Sequence, residues 1–189
     1  KKFPAASESK HPKQTLLPGL VNAHTHSHGN LGKGMGDRWT LELLLAAAPW
    51  IGGNRNADDL HLSAQIGAVE MVLKGCTALY DLFFEWPVPS RDGITRVGSA
   101  YDEVGIRAVI AESFERIHRS VIAPMVADRT FYEAIPGLAD ALPPSLRERV
   151  AALRLAPGET ILAAIRDALR EWSFDRDHIR PAVAPTIPH

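Results

Sequence analysis

Four short apolar runs recur along the chain, separated by longer stretches that have helical periodicity. Each run is short for a helix, and its residues are apolar on both faces of an extended chain. This pattern is typical of strands in a parallel sheet that is covered on both sides. The predicted strands lie at residues 16–26, 76–84, 106–111 and 182–187.

The stretches between these runs predict helices. The clearest has Leu60, Ala64, Gly67, Ala68 and Met71 along one face, at the spacing of an amphipathic helix. Because helices alternate with strands, they act as crossovers, and neighbouring strands should run parallel. The predicted helices lie at 39–50, from Asn56 or Asp58 to Gly75, at 90–104 with Asp92 as N-cap, at 145–155 and at 159–172.

Length limits how much of a fold the chain can form. The order of elements is that of a β/α barrel, but eight strands need roughly 250 residues, and this chain has 189. The predicted fold class is therefore α/β, a partial (β/α)8 TIM barrel made of the first four parallel strands with their helices. Four strands do not close a barrel, so we expect open sheet edges along the first and fourth strands.

Composition and charge exclude several classes of function. A net charge of −1 with mixed signs gives no electrostatic basis for binding nucleic acid or an anionic membrane. A single cysteine excludes an internal disulfide and a cysteine-based zinc finger. No apolar run approaches the roughly 20 residues that span a bilayer, and the first residues lack a secretory pattern. We therefore expect a cytoplasmic protein.

The first predicted strand ends in two histidines, His24 and His26, separated by one residue. In an extended strand these side chains share one face, about 7 Å apart along the strand, so one nitrogen of each ring can bind the same metal ion. A glycine-rich loop follows, which is typical of the active-site end of a β/α barrel. We predict that His24 and His26 are metal ligands. His28, beyond the strand, is predicted to be a supporting or solvent-facing histidine.

Further candidates follow the second strand and the later loops. Asp81 and Glu85 share one face if the strand keeps its pleat, and for Asp81 we favour a role in capping or positioning a loop. Trp86 is able to stack on a planar ring, although a loop tryptophan also commonly covers core. Arg129, in a long connection, and His189, at the last position, are further candidates for contacting substrate.

The run Leu-Leu-Pro-Gly-Leu-Val-Asn-Ala-His-Thr-His at 16–26 closely resembles the first-strand signature of the amidohydrolase superfamily. It resembles most the branch that deaminates or dechlorinates heterocycles such as triazines, guanine, cytosine and adenosine derivatives. The resemblance continues at 74–81, 105–109 and 180–189, which look like the next three barrel strands. It implies that residues 1–15 are a remnant of the family's β-sandwich, poorly ordered alone, and that residues 16–189 are the N-terminal half of a metal-dependent hydrolase barrel.

The resemblance also implies a chemistry. Family members hold one divalent ion with the first-strand histidine pair, a histidine on the fifth strand and an aspartate on the eighth. Such an ion lowers the pKa of bound water from 15.7 to about 7, which makes hydroxide available to attack a ring carbon. Related deaminases place a substrate-contacting acid just beyond the second strand, which makes Glu85 the corresponding candidate. Imidazole suits zinc and iron alike; we favour zinc and leave iron open.

Only His24 and His26 of that ligand set have counterparts in this sequence. Two imidazoles alone should bind metal weakly, so we expect the chain to be inactive by itself. It would act on a small heterocyclic substrate as a homo-oligomer or with a missing C-terminal half. Two alternatives stay open: a non-catalytic half-barrel that serves as an association module, and another His-x-His hydrolase such as a phosphotriesterase-like esterase. The Pro-Gly-Leu-Val-Asn context disfavours the esterase.

Overall fold

The computed structural model describes residues 9–40, 43–44, 47, 51–52, 55–85, 90–114, 144 and 158–185. In these residues, strands alternate with helices as the sequence predicts. In chain order the elements are β1 (Leu20–Thr25), a 3-10 segment (Ser27–Gly32), α1 (Ala57–Leu73), β2 (Cys76–Phe83), α2 (Arg91–Val104), β3 (Arg107–Phe114), α3 (Gly158–Arg170) and β4 (Ile179–Pro185).

The four strands form one sheet in the order β1-β2-β3-β4, and every neighbouring pair is parallel. This topology confirms the predicted α/β class with helical crossovers. All carboxyl ends of the strands lie at the same edge of the sheet, where a β/α barrel carries its active site. Among the described residues, β1 and β4 are the outer strands of the sheet.

The beginning of β4 differs from the prediction. The strand starts at Ile179, before the predicted Ala182, and so includes Pro181. In the described sheet β4 is an outer strand, where proline is tolerated although it donates no hydrogen bond to a ladder. The start of β4 is held by the indole of Trp172, whose Nε1 donates to the carbonyl of Ile179 at 3.0 Å.

The ends of α1 follow the local sequence. Asn56 is the N-cap: its Oδ1 accepts from the backbone N–H of Asp59 at 2.9 Å, and Oδ2 of Asp59 accepts from the N–H of Asn56 at 3.0 Å. This reciprocal capping box decides between Asn56 and Asp58, the two predicted caps. Gly75 follows the helix with a φ of +85°, which favours glycine because a side chain would be strained there.

The N-cap of α2 is Ser90, and the predicted cap, Asp92, is wrong. The Oγ of Ser90 accepts from the backbone N–H of Gly93 at 2.8 Å. Asp92 lies in the first turn, where its negative charge still faces the positive end of the helix dipole. Both residue types favour helix starts, so composition alone did not separate them. Gly105 ends the helix in the left-handed conformation, as predicted.

The core lies between the helices and one face of the sheet. The predicted inner faces are buried: Leu60, Ala64 and Ala68 in α1, and Ile161 and Ile165 in α3. They pack on strand residues that are also shielded from solvent. The largest of the fully buried apolar and aromatic side chains are Tyr101, Phe83, Ile106, Ile110, Ile179 and Val97.

The outer side of α1 and the edge strand β1 leave an apolar surface exposed. Leu20 and Val21 of β1 are 59% and 66% exposed. A second apolar row on α1 faces solvent, although helices that are apolar all round are normally buried. The exposed α1 residues are Leu62, Ile66, Val69, Val72 and Leu73. We call Leu20, Val21 and these α1 residues the open apolar surface.

Some predictions concern residues that the structure describes in part or not at all. Of the predicted helix at 39–50, residues 43–44 and 47 are described as helical. The predicted helix at 145–155 and residues 1–8 lie outside the described ranges, so poor order of residues 1–15 stays a prediction. Within the described ranges, none of the helices combines the length and apolar character needed to cross a bilayer.

Candidate metal centre

The carboxyl end of β1 is irregular where the two histidines lie. Between the pairs Asn22–Leu79 and Thr25–Asp81, β1 contains one residue more than β2. An extra residue of this kind is a bulge, which bends the strand and redirects its side chains. The backbone N–H of His24, inside the bulge, donates to Oδ1 of Asn22 at 3.2 Å. The side chain of Asn22 therefore satisfies a backbone group inside the irregular stretch.

The two imidazoles converge beyond this bulge. The Nε2 atoms of His24 and His26 lie 3.2 Å apart, and the ring centroids lie 5.0 Å apart with an interplanar angle of 82°. The rings thus converge from backbone positions that would lie about 7 Å apart in a regular strand, at the end of β1 where the pairing is irregular. Both side chains are exposed at the edge of the sheet, so a bound ion would be open to substrate.

A backbone carbonyl fixes the proton of His26. The Nδ1 atom of this ring lies 3.0 Å from the carbonyl oxygen of Leu82, in β2. A carbonyl oxygen only accepts, so Nδ1 carries the hydrogen and donates it. In the neutral ring the lone pair is then on Nε2, which faces His24. Carbonyl oxygens commonly orient metal-binding histidines in this way.

The separation of the two nitrogens fits a shared ion. Tetrahedral zinc with Zn–N distances of about 2.0–2.1 Å places two ligand nitrogens roughly 3.3–3.4 Å apart, close to the observed 3.2 Å. No group of three or more His, Cys, Asp or Glu side chains in the described ranges is placed to hold a metal ion. A catalytic zinc site generally has three protein ligands, and the described residues offer two candidates, His24 and His26.

His28 lies against the pair and is part-buried. Its ring centroid is 5.5 Å from that of His26 and 5.9 Å from that of Phe84. Burial, followed by the nearby charges of His26 and Arg55, lowers the pKa of His28 to about 4. Its Nδ1 is shielded from water and has no hydrogen-bond partner in the described part of the chain. The part-buried ring of His28 beside His26 agrees with the predicted supporting position.

Asp81 is fully buried beneath the histidine pair. Its Oδ1 accepts from the backbone N–H of Ser27 at 2.9 Å, and its Oδ2 accepts from the hydroxyl of Tyr101 at 2.8 Å. Burial raises the pKa of Asp81. The hydrogen bonds from Ser27 and Tyr101, and separately the nearby charge of His26, partly oppose that effect. The contact with Ser27 agrees with the predicted role in positioning a loop.

The glycine-rich loop after β1 is tied to α1. The Oγ of Ser63 donates to the carbonyl of Ser27 at 2.6 Å. The Nδ2 of Asn30 donates to the carbonyls of Ser27 and Ser63 at 3.3 and 3.0 Å. Asn30 packs so closely on Gly67 that a Cβ there would overlap its amide. The sequence predicted a flexible loop, but the described segment is a 3-10 turn anchored at both faces.

Glu85 lies at the start of α2. Its carboxylate accepts from the backbone N–H and the Oγ of Ser90, at 2.6 and 2.9 Å, and sits beside Gly93. Burial raises the pKa of Glu85, while the hydrogen bonds from Ser90 lower it. The carboxylate thus supports the first turn of α2, and its contact with substrate stays a prediction. Trp86, Arg129 and His189 lie outside the described residues, and their predicted substrate contacts stay predictions as well.

Sequence reasoning missed the residues that hold the pair in place. Leu82 contributes only its backbone carbonyl, and Ser27 its backbone N–H and carbonyl. Neither contribution depends on residue type, so no sequence signal marks it. Tyr101 carries a weak signal, because a tyrosine on the apolar face of a helix needs a partner for its hydroxyl.

Comparison with curated proteins finds nucleoside deaminases. The chain is 38% identical over 96 residues to a 5-methylthioadenosine/S-adenosylhomocysteine deaminase of Haloarcula marismortui, which is 50% of this chain and 20% of that protein. It is 33% identical over 99 residues to a 5'-deoxyadenosine deaminase of Methanoregula boonei, 52% of this chain and 21% of that protein. The matches thus span about a fifth of the length of these relatives.

Comparison with solved structures finds zinc-bound members of the same fold. An atrazine chlorohydrolase from Arthrobacter aurescens, complexed with zinc, matches with a TM-score of 0.60 and 19% identity, covering 89% of this chain and 34% of that one. An adenosine deaminase from Xanthomonas campestris with bound zinc matches with a TM-score of 0.56 and 19% identity, covering 89% and 29%. These likenesses confirm the predicted partial barrel.

The sequence profile of the Amidohydrolase family matches residues 15–173. This range includes the bulged end of β1, the 3-10 segment, α1, β2 and α2. It contains both converging histidines and the buried Asp81 beneath them. Because the match covers most of the chain, this protein belongs to the amidohydrolase family.

Proposed function

We propose that this chain supplies the first-strand metal ligands of a hydrolase that deaminates or dechlorinates a nitrogen heterocycle. The observation that carries the proposal is the 3.2 Å approach of the Nε2 atoms of His24 and His26 at the carboxyl edge of the sheet. Similarity to deaminases that act on adenosine derivatives, and the fold shared with a triazine chlorohydrolase, support a planar heterocycle as the substrate class.

The two rings are arranged to hold an ion from one side. His26 directs its Nε2 lone pair toward His24, because Leu82 accepts the proton on the opposite nitrogen. Exposure of both side chains leaves the other side open for substrate. The ion would supply an activated nucleophile, since coordination lowers the pKa of water to about 7. We propose zinc, as in the similar solved structures, and imidazole chemistry leaves iron open.

The open apolar surface supports a need for further chain. Leu20 and Val21 lie on the outer strand β1, and a second exposed apolar row lies on α1. A parallel sheet is normally covered on both faces and closed in a barrel. We propose that additional strands cover this surface, from a C-terminal half or from a second copy, and that the 189-residue chain alone is inactive. A cytoplasmic location remains a prediction.

The test is hydrolysis by the protein that carries this sequence together with its remaining strands. We expect zinc-dependent release of ammonia from an adenosine-type nucleoside or of chloride from a chlorotriazine. His24→Ala and His26→Ala should abolish it, whereas His178→Ala, at the opposite edge of the sheet, should not. Hydrolysis of phosphotriesters without either heterocycle reaction would instead support the esterase alternative.

One observation favours a second candidate, a non-catalytic association module. The described residues combine only two metal ligands with a large exposed apolar surface. Light scattering and metal analysis of the chain separate the two functions. A stable oligomer that binds no zinc and hydrolyses no heterocycle would support the module, and zinc binding that requires both histidines would support the hydrolase.

A further inference from the structure

Asp81 stands out among the described residues because its carboxylate is completely buried. Packing of the core does not by itself require a carboxylate at this position. Its exposure is 0%, as is that of Tyr101, and Ser27 is 1% exposed. Burying a carboxylate is unfavourable unless hydrogen bonds compensate it. Here two donors approach from opposite sides, the Ser27 N–H on Oδ1 and the Tyr101 hydroxyl on Oδ2.

These contacts connect Asp81 to the metal pair through the main chain. Ser27 directly follows His26, so the hydrogen bond to Asp81 fixes the peptide that joins them. The next residue of β2, Leu82, accepts the proton of His26 Nδ1 at 3.0 Å. Two consecutive residues of β2 therefore hold His26, one at its backbone and one at its ring.

The next peptide, between Ser27 and His28, is held by α1. The Oγ of Ser63, in α1, donates to the carbonyl of Ser27 at 2.6 Å. Tyr101 belongs to α2, so its hydroxyl links the position of that helix to Asp81. Two of the three described helices thus support Ser27, α1 directly and α2 through Asp81. A bulged strand end lacks a regular ladder, which is why such outside anchors are needed there.

We propose that Asp81 and Tyr101 are positioning residues for the metal ligand His26. The hydrogen bonds from Tyr101 to Asp81 and from Ser27 to Asp81 set the backbone of His26, so that its Nδ1 reaches Leu82 and its Nε2 meets that of His24. Neither side chain touches the ion or the substrate. The inference rests on the proposed function of the pair as metal ligands.

The experiment compares metal affinity with stability in four variants of the chain. Asp81→Ala removes both contacts, Asp81→Asn keeps an oxygen for the Ser27 N–H, and Tyr101→Phe removes one donor. The control Trp172→Phe removes a hydrogen bond to Ile179 at the far edge of the sheet. Zinc affinity is measured by competition with a chromophoric chelator, and the free energy of unfolding by urea without metal.

We expect Asp81→Ala to weaken zinc binding about 10-fold or more, the range found when supports of metal ligands are removed. Tyr101→Phe should weaken zinc binding about 3-fold, and Asp81→Asn should recover most of the affinity lost in Asp81→Ala. The control Trp172→Phe should keep the zinc affinity within about 2-fold of the parent even where it lowers the free energy of unfolding as much as Tyr101→Phe does. The inference is overturned if Asp81→Ala and Tyr101→Phe fold and bind zinc as tightly as the parent, or if Asp81→Asn is as weak as Asp81→Ala.

A second measurement needs no metal and keeps the test independent of the proposed function. Nitrogen NMR of the imidazoles reports which nitrogen of His26 carries the proton. We expect Nδ1–H in the parent and in Asp81→Asn, and a mixture of both tautomers in Tyr101→Phe and Asp81→Ala. Zinc binding that does not require His24 and His26 would refute the metal site, while an unchanged tautomer in Tyr101→Phe would refute the positioning role.

Discussion

Replacing Tyr101 by phenylalanine tests how strongly the buried carboxylate depends on its donors. The substitution keeps the ring in the core and removes only the hydroxyl that donates to Oδ2 of Asp81 at 2.8 Å. Both side chains are 0% exposed, so water cannot replace the lost hydrogen bond. Hydrogen bonds to charged groups contribute about 1.5–3 kcal/mol. We expect the free energy of unfolding to fall by about 2 kcal/mol at neutral pH.

The decrease in the free energy of unfolding caused by Tyr101→Phe should depend on pH. Burial raises the pKa of Asp81 in the folded protein, so its contribution to stability is fully present below the ordinary carboxyl pKa of about 3.9 and declines as the pH rises through the raised value. Removing a donor to the carboxylate raises that pKa further. The burial of Tyr101 raises the pKa of its phenol as well, so the hydroxyl remains a donor throughout. The difference between parent and variant should therefore grow as Asp81 ionises.

The assay is urea unfolding of the parent, Tyr101→Phe and Trp172→Phe at several values between about pH 4 and pH 8. As the pH falls below the raised pKa of Asp81, the loss of unfolding free energy in Tyr101→Phe should shrink toward the roughly 0.5–1.5 kcal/mol of a neutral hydrogen bond. The loss in Trp172→Phe should stay constant, because its acceptor is a backbone carbonyl. A loss below about 0.5 kcal/mol at pH 8, or a larger loss at pH 4, would refute the reasoning.

Three further predictions concern other parts of the chain. Asn56→Ala should lower the free energy of unfolding by about 1 kcal/mol by removing the α1 cap, and Asn56→Ser should restore most of it in urea titrations. Gly67→Ala should gain up to about 1 kcal/mol of helix propensity but displace Asn30 and its two hydrogen bonds, each of which contributes about 0.5–1.5 kcal/mol. We expect the free energy of unfolding to fall by about 1 kcal/mol, and any increase in urea titrations would contradict this. Ile66→Gln should reduce self-association of the chain in light scattering, because it interrupts the open apolar surface, and an unchanged mass would argue against that surface as an interface.

Much of the sheet could be predicted from sequence because parallel strands are buried on both faces and show as apolar runs. The capped helices between them also followed, since Asn56 and Gly105 carry strong local signals. Errors occurred where tertiary context decided the outcome. The start of β4 lies at Ile179, three residues before the predicted Ala182, and Ser90 caps α2 in a competition with Asp92 that local preference leaves open.

The candidate site was predictable only in its two exposed ligands. The spacing of His24 and His26 indicated a shared face, but the bulge that brings their nitrogens together depends on the pairing of β1 with β2. The burial of His28 and the support from Leu82 and Ser27 come from backbone geometry and from distant packing. A periodicity argument contains no information on such contacts.

The most direct test of the metal centre is nitrogen NMR of the histidines during titration with zinc. We predict that the Nε2 signals of His24 and His26 shift together, at the same zinc concentration, while Nδ1 of His26 keeps its proton. His178 should not respond. Zinc that shifts only one of the two rings, or that binds through Nδ1 of His26, would contradict a shared ion at this pair.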